Sequence, residues 1–165
     1  MLLALTSVAA YFDLKTRRIP NWLTLGGCVA GLAANTAVAG FGGLRASALG
    51  LGIGFVLYFP LWLLGARGAG DVKLLAAAGA VAGPANTAAL FLLAAVLGGV
   101  FALTLVLARG ATRQTFANIV DILSSLVRLR RPDHTLDMAS ALRLPHAPVI
   151  FMAAIVELLI LRSVR

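Results

Sequence analysis

Long apolar blocks, separated by short polar or glycine-proline breaks, set the pattern of this chain. The blocks predict about six membrane-crossing helices, near residues 2–12, 22–38, 46–64, 72–82, 88–108 and 149–161. The first is short, about 16 Å if helical. Basic residues follow it rather than precede it, the reverse of a cleavable signal peptide, so it is expected to stay in the mature protein. The second block ends at a glycine turn over 40–43, and the third carries Phe59, Pro60 and Trp62 near one end. Gly83-Pro84, a helix-stop pair, closes the fourth block. The fifth is long enough to cross alone.

A different periodicity occupies the polar stretch 109–145. Phe116, Ile119, Val120, Leu123, Leu126 and Val127 recur at helical spacing opposite Gln114, Asn118, Asp121, Ser125 and Arg128. This predicts an amphipathic helix lying on the membrane surface, with Arg130 and Arg131 near lipid phosphates. The predicted fold is therefore all-α: a polytopic bundle of about six transmembrane helices plus a cytoplasmic-face amphipathic helix, forming one domain over residues 1–165. No internal repeat interrupts it.

Composition agrees, since 61% of the residues are hydrophobic and only 12% charged, too few to coat a soluble surface. The net charge of +8 points to topology rather than to nucleic acid. Alternating spans place Lys15, Arg17, Arg18, Arg67, Lys73 and the arginines of 109–143 on one face, against Arg45, Arg162 and Arg165 on the other. The crowded face is expected to be cytoplasmic. The single cysteine, Cys28, leaves no internal disulfide and no cysteine cluster for zinc.

Two aspartates border apolar segments on that crowded face, Asp13 after the first block and Asp71 before the fourth. Carboxylates so placed are expensive. Asp71 follows Gly68-Ala69-Gly70, and glycines permit backbone shapes and close approaches that a side chain forbids. Each has a structural reading beside the functional one. Asp71 suits the N-cap of the fourth helix, and Asp13 suits an interfacial ion pair with Arg17 one turn on. Asn21 suits an N-cap, Pro20 a turn and Trp22 an interfacial anchor. Glu157, inside the last block, suits a structural partner for Arg45 or Arg162, with a proton pathway as a second reading.

Taken together, Asp13, Arg18-Ile19-Pro20-Asn21, Gly68-Ala69-Gly70-Asp71-Val72-Lys73 and Leu144-Pro145-His146-Ala147-Pro148 resemble the prepilin peptidase family of GxGD aspartic proteases. The resemblance implies an inner-membrane, multi-pass endopeptidase that cuts the short leader from prepilins or pseudopilins at the cytoplasmic face, with Asp13 and Asp71 as catalytic residues. The chain lacks the paired CxxC segment of larger bifunctional members, and so resembles the compact, peptidase-only branch associated with Flp-type (tight-adherence) pili. Methylation of the new N-terminus is then not expected.

Two carboxylates within a few ångströms at a poorly hydrated site share one proton, because both cannot ionise cheaply. The ionised member can activate water, while the protonated one hydrogen-bonds the scissile carbonyl. No cofactor or metal is needed, and His134 and His146 are too few ligands for one. Gly68 and Gly70 are expected to let an extended substrate segment lie against the loop, and Lys73 to orient Asp71 or to serve as an interfacial lysine. Pro145 and Pro148 are expected to shape the entry of the last span. Implied partners are a prepilin or pseudopilin and the lipid bilayer; nothing in the sequence sets an oligomeric state. The rival class is a noncatalytic membrane assembly factor or small transporter that uses the aspartates for ion pairing.

Overall fold

A computed structural model describes residues 1–63, 68–108 and 146–163 of the chain, all helical apart from short connections. The helices are α1 (Leu2–Thr16), α2 (Asn21–Leu63), α3 (Ala69–Ala82), α4 (Pro84–Ala108) and α5 (Ala147–Ser163). The amphipathic helix expected over 114–128, and Pro145 with it, lie outside the described residues. Two compact units divide the chain, Met1–Gly98 together with Pro145–Arg165, and Gly99–Leu144. Of the second unit, residues 99–108 are described, as the end of α4.

Helix α2 is a hairpin. It breaks at Ala39 (φ −127°, ψ 17°) and Gly40 (φ 56°, ψ −138°), the second a left-handed value that glycine adopts without the strain of a side chain. Past the break the chain runs back along itself. Gly43 meets the Asn35 carbonyl where a Cβ would stand. Asn35 Nδ2 donates to Ser47 Oγ at 2.8 Å. The turn is tighter than the 40–43 loop expected from sequence, and the returning helix starts earlier than residue 46.

Helix α3 lies in the groove of this hairpin. Contacts of Gly27 with Ala77 and of Gly31 with Ala80 make it parallel to the first half of α2. Contacts of Gly50 with Gly79 and of Gly54 with Leu75 make it antiparallel to the second. The second half offers a stripe of small residues, Gly43, Ser47, Gly50 and Gly54, all buried. The carbonyls of Gly79 and Leu75 occupy the space that side chains at Gly50 and Gly54 would need, so the backbones touch. On α3 itself Leu74, Leu75, Ala77, Ala78 and Ala80 are fully buried. A helix apolar all round belongs at the centre of a bundle.

The end of α3 shows why it can be buried. The last four carbonyls of a helix lack intrahelical donors. Here Gly83 N–H donates to the Gly79 carbonyl at 2.9 Å. Asn35 Nδ2 donates to the carbonyls of Ala80 (3.1 Å) and Val81 (3.3 Å), and Asn86 Nδ2 to that of Ala82 (3.0 Å). Ser47 Oγ also donates to Ala80. Gly83, at φ 82°, then turns the chain into α4, with Pro84 at its first helical position.

Helices α1 and α5 pack side by side. The end of α1 meets the start of α5, so they are antiparallel. Leu5, Thr6, Ala9, Ala10 and Asp13 are the buried face of α1; Ala147, Ile150, Ala153, Ala154 and Glu157 lie on that of α5. Both Glu157 carboxyl oxygens are buried without a hydrogen-bond partner among the described residues, and Arg45 and Arg162 are exposed. The pairing of Glu157 with either arginine, expected from sequence, is therefore not made.

The ends of α1, α2, α3 and α5 converge at one pole. Asn21 at the start of α2 accepts a hydrogen bond from Lys73 in α3 (3.0 Å), Ile19 packs on Gly70, and Asp13 meets Ala147. The Ala39–Gly40 and Gly83 turns mark the opposite pole.

Candidate active site

Asp13 sits in the last turn of α1, which stops at Thr16 because Arg17 adopts a left-handed conformation (φ 52°, ψ 30°). The Arg17 N–H returns to the Asp13 carbonyl at 2.9 Å. The Asp13 side chain is only 8% exposed. Its Oδ2 accepts the N–H of Ala147, the first residue of α5, at 3.0 Å. The carboxyl thus takes one of the orphan donors of a helix N-terminus. Burial pushes the Asp13 carboxyl above the usual aspartate range, against the opposing pull of the Ala147 N–H and the Arg17 charge. Arg17 is exposed and acts through its field.

Asp71 occupies the first turn of α3, half-buried. Gly68, extended at φ −77° and ψ 148°, is the residue that caps the helix, so Asp71 is not its N-cap. The Asp71 N–H donates to the Gly68 carbonyl at 3.1 Å. A Cβ at Gly68 would lie 3.7 Å from Asp71 Oδ2, so the carboxylate folds back over this glycine. A Cβ at Gly70 would stand 3.3 Å from Ile19. Neither glycine has a positive φ. Their use here is close approach, by Ile19 and by the Asp71 side chain.

The flanking residues divide the same way. Asn21 is the first residue of α2 rather than its cap, and its side-chain oxygen binds Lys73 Nζ. The Pro20 carbonyl receives the N–H groups of Leu23 (3.2 Å) and Thr24 (3.4 Å), which opens the helix. Trp22 is exposed and meets Phe12 edge-on at 6.0 Å. Pro148 stands in the first turn of α5, where its missing N–H costs nothing.

One feature escaped the sequence, the Ala147 N–H, a backbone group that no side-chain pattern reveals. His146, weighed in the sequence only as a motif residue and metal ligand, has its Nε2 buried with no hydrogen-bond partner among the described residues, beside Gly98 of α4. Among the described residues no three His, Cys, Asp or Glu side chains come together as a metal would require.

The electrostatics follow from the topology. The N-termini of α2, α3 and α5 share one pole, each the positive end of a helix dipole. Asp13 contacts one and Asp71 belongs to another. Lys15, Arg17, Arg18 and Lys73 lie at the same pole. Such a setting tolerates carboxylate charge while burial opposes it.

Comparison with known proteins adds one match. The family model described as the type IV leader peptidase family matches residues 1–103, a stretch that holds α1 to α3, most of α4, and both aspartates. No curated protein and no solved structure matches the chain.

Proposed function

The chain belongs to the type IV leader peptidase family, and on that premise we propose that it is a membrane-embedded aspartic endopeptidase whose dyad is Asp13 and Asp71. Its substrates are prepilins or pseudopilins of the type IV or Flp kind, cut at the cytoplasmic face of the inner membrane. The observation that carries this reading is the gathering of both aspartates at the pole where three helix N-termini converge. Membrane embedding is supported by the apolarity of the outer faces. Midway along their helices, Val29 is 60% exposed and Val56 and Val96 64%. Among the described residues Asn21–Leu63 and Pro84–Thr104 are long and apolar enough to cross a membrane.

In this reading the pair shares one proton. The ionised member takes a proton from water as that water attacks the scissile carbonyl carbon. The protonated member hydrogen-bonds the carbonyl oxygen while charge develops there, and a proton passes to the leaving amine as the peptide bond breaks. The raised Asp13 carboxyl is suited to holding the shared proton. The titration belongs to the pair.

A second reading, a noncatalytic membrane assembly factor, draws on the Asp13–Ala147 hydrogen bond, which gives Asp13 a structural task. Asp13→Asn separates the two, because an amide oxygen still accepts the Ala147 N–H but cannot act as a carboxylate. Candidate prepilins are co-expressed with the wild type, Asp13→Asn or Asp71→Asn, and leader removal is followed. Peptidase action predicts that the wild type cleaves and both variants do not; cleavage by either folded variant would refute the dyad.

A further inference from the structure

Glu157 lies far from the aspartate pole, yet it is only 4% exposed and neither carboxyl oxygen has a hydrogen-bond partner among the described residues. It continues the buried stripe of Ala147, Ile150 and Ala154 along α5, the stripe whose first residue meets Asp13. The rise from Ala147 to Glu157 is about 15 Å. The same length counted back along antiparallel α1 from Asp13 reaches its first turn, beside the buried Leu5 and Thr6. Beyond Glu157 every described residue of α5, from Leu158 to Ser163, is exposed. The carboxyl therefore closes the α1–α5 seam at the end away from the aspartates.

Among the described residues no counter-charge answers it. On α1, Asp13, Lys15 and Arg17 stand at the aspartate pole, Tyr11 is exposed, and so is Met1, whose amino group heads the helix. On α3, Asp71 and Lys73 belong to the aspartate pole. Helix α4 has no titratable residue from Pro84 to Gly98, where it meets α5. His146 precedes α5 at the aspartate pole, and Arg162 is exposed. Thr6, the other polar side chain in this half of the seam, already donates to the Leu2 and Leu3 carbonyls. An ionised carboxylate buried without a partner is too costly, so the closed seam belongs to the neutral acid.

We propose that Glu157 is a positioning residue for Asp13, and that the proton it binds comes from the membrane face opposite the dyad. The inference rests on the peptidase reading. With the proton bound, α1 lies along α5 over its whole length, and Asp13 reaches the Ala147 N–H. Without it, the far end of the seam opens to water, α1 tilts as a rigid rod, and Asp13 leaves that N–H. Leader removal then answers to acidity on the far face as well as at the dyad.

In a Cys28→Ser background, the full chain takes spin labels at Leu3→Cys on α1 and Leu161→Cys on α5, both exposed positions, and electron spin resonance in nanodiscs reads their separation. Raising the pH should lengthen it in the chain with Glu157 and in Glu157→Asp, while Glu157→Gln keeps the short distance throughout. Should Glu157→Gln fail to fold, Glu157→Leu carries the same expectation. Cleavage is followed in membrane vesicles whose aspartate pole faces a medium of fixed pH, while the trapped buffer is varied. Leader removal from an added prepilin peptide should fall about tenfold as the trapped buffer goes from mildly acid to alkaline, because the closed population falls with it. Glu157→Gln should ignore the trapped buffer, and Glu157→Asp should restore the dependence. A distance that ignores pH with Glu157 present, or changes equally in Glu157→Gln, overturns the proposal, as does cleavage indifferent to the trapped buffer. The distances need no cleavage. A Glu157-dependent change in distance without leader removal by the wild type would therefore sink the peptidase reading alone, whereas cleavage with a distance that ignores Glu157 would sink the positioning role alone.

Discussion

Asp13 is under opposing demands that its neighbours resolve. Burial favours the neutral carboxyl, whereas the Ala147 N–H and Arg17 favour the anion, and burial wins. A folded-state pKa above the unfolded one means that the native state binds this proton more tightly. The stability it adds is present below the ordinary aspartate pKa and is lost as pH rises through the raised value. Asp13→Asn, permanently neutral, should match the wild type in acid and become progressively more stable than it as pH rises through that window. Thermal unfolding across pH checks this; a constant difference at all pH values would refute the assignment. The Ala147 N–H can be tested separately. Proline is tolerated at the first position of a helix, so Ala147→Pro removes this donor while leaving the helix its bonds. Losing a donor that favours the anion should raise the Asp13 carboxyl further and move the acid limb of the cleavage profile to higher pH. Ala147→Gly keeps the N–H and should leave the limb in place. Asp13 and Asp71 were legible in the sequence as costly charges; the backbone donor was not, because it depends on where α5 begins in space.

Among the helices, the glycines separate into those the packing needs and those it does not. A Cβ at Gly50 would strike the Gly79 carbonyl, whereas one at Gly52 meets nothing within 4 Å. Gly50→Ala should therefore cost about 1–3 kcal/mol through overpacking. Gly52→Ala should gain up to about 1 kcal/mol from helix propensity. Reversible unfolding in mixed micelles, compared between the two variants, reads the contrast; equal effects would mean that α3 does not seat against this face. Asn35→Ala is the matching polar test. It removes the side-chain donor to the Val81 carbonyl and one of two to Ala80, which keeps Ser47, and leaving a part-buried acceptor unpaired costs about 1–3 kcal/mol. The apolar blocks foretold where each helix lies, and Gly83-Pro84 foretold the break between α3 and α4. What the blocks could not give was the pairing. A glycine stripe and an asparagine within a hairpin look like ordinary spacer residues until the partner carbonyls are known.

Across the whole molecule, the arrangement of poles makes a claim about sidedness. Lys15, Arg17, Arg18 and Lys73 share a pole with Asp13 and Asp71, while Arg45 follows the turn at the opposite pole. The first half of α2, residues 21–38, is about 27 Å long, close to the thickness of a hydrocarbon core. It therefore separates the poles by nearly one membrane width. Excess basic charge stays in the cytoplasm during insertion, so the aspartate pole should face inward and the Ala39–Gly40 turn outward. In a Cys28→Ser background, a cysteine at exposed Gly42 should react with a membrane-impermeant maleimide on intact spheroplasts. One at exposed Arg18 should react only after lysis. If Arg18 labels from outside, cleavage at the cytoplasmic face fails with it. If both positions label from the same side, the α2 hairpin does not cross, and the apolar faces at Val38 and Phe41 need a protein partner rather than lipid to cover them.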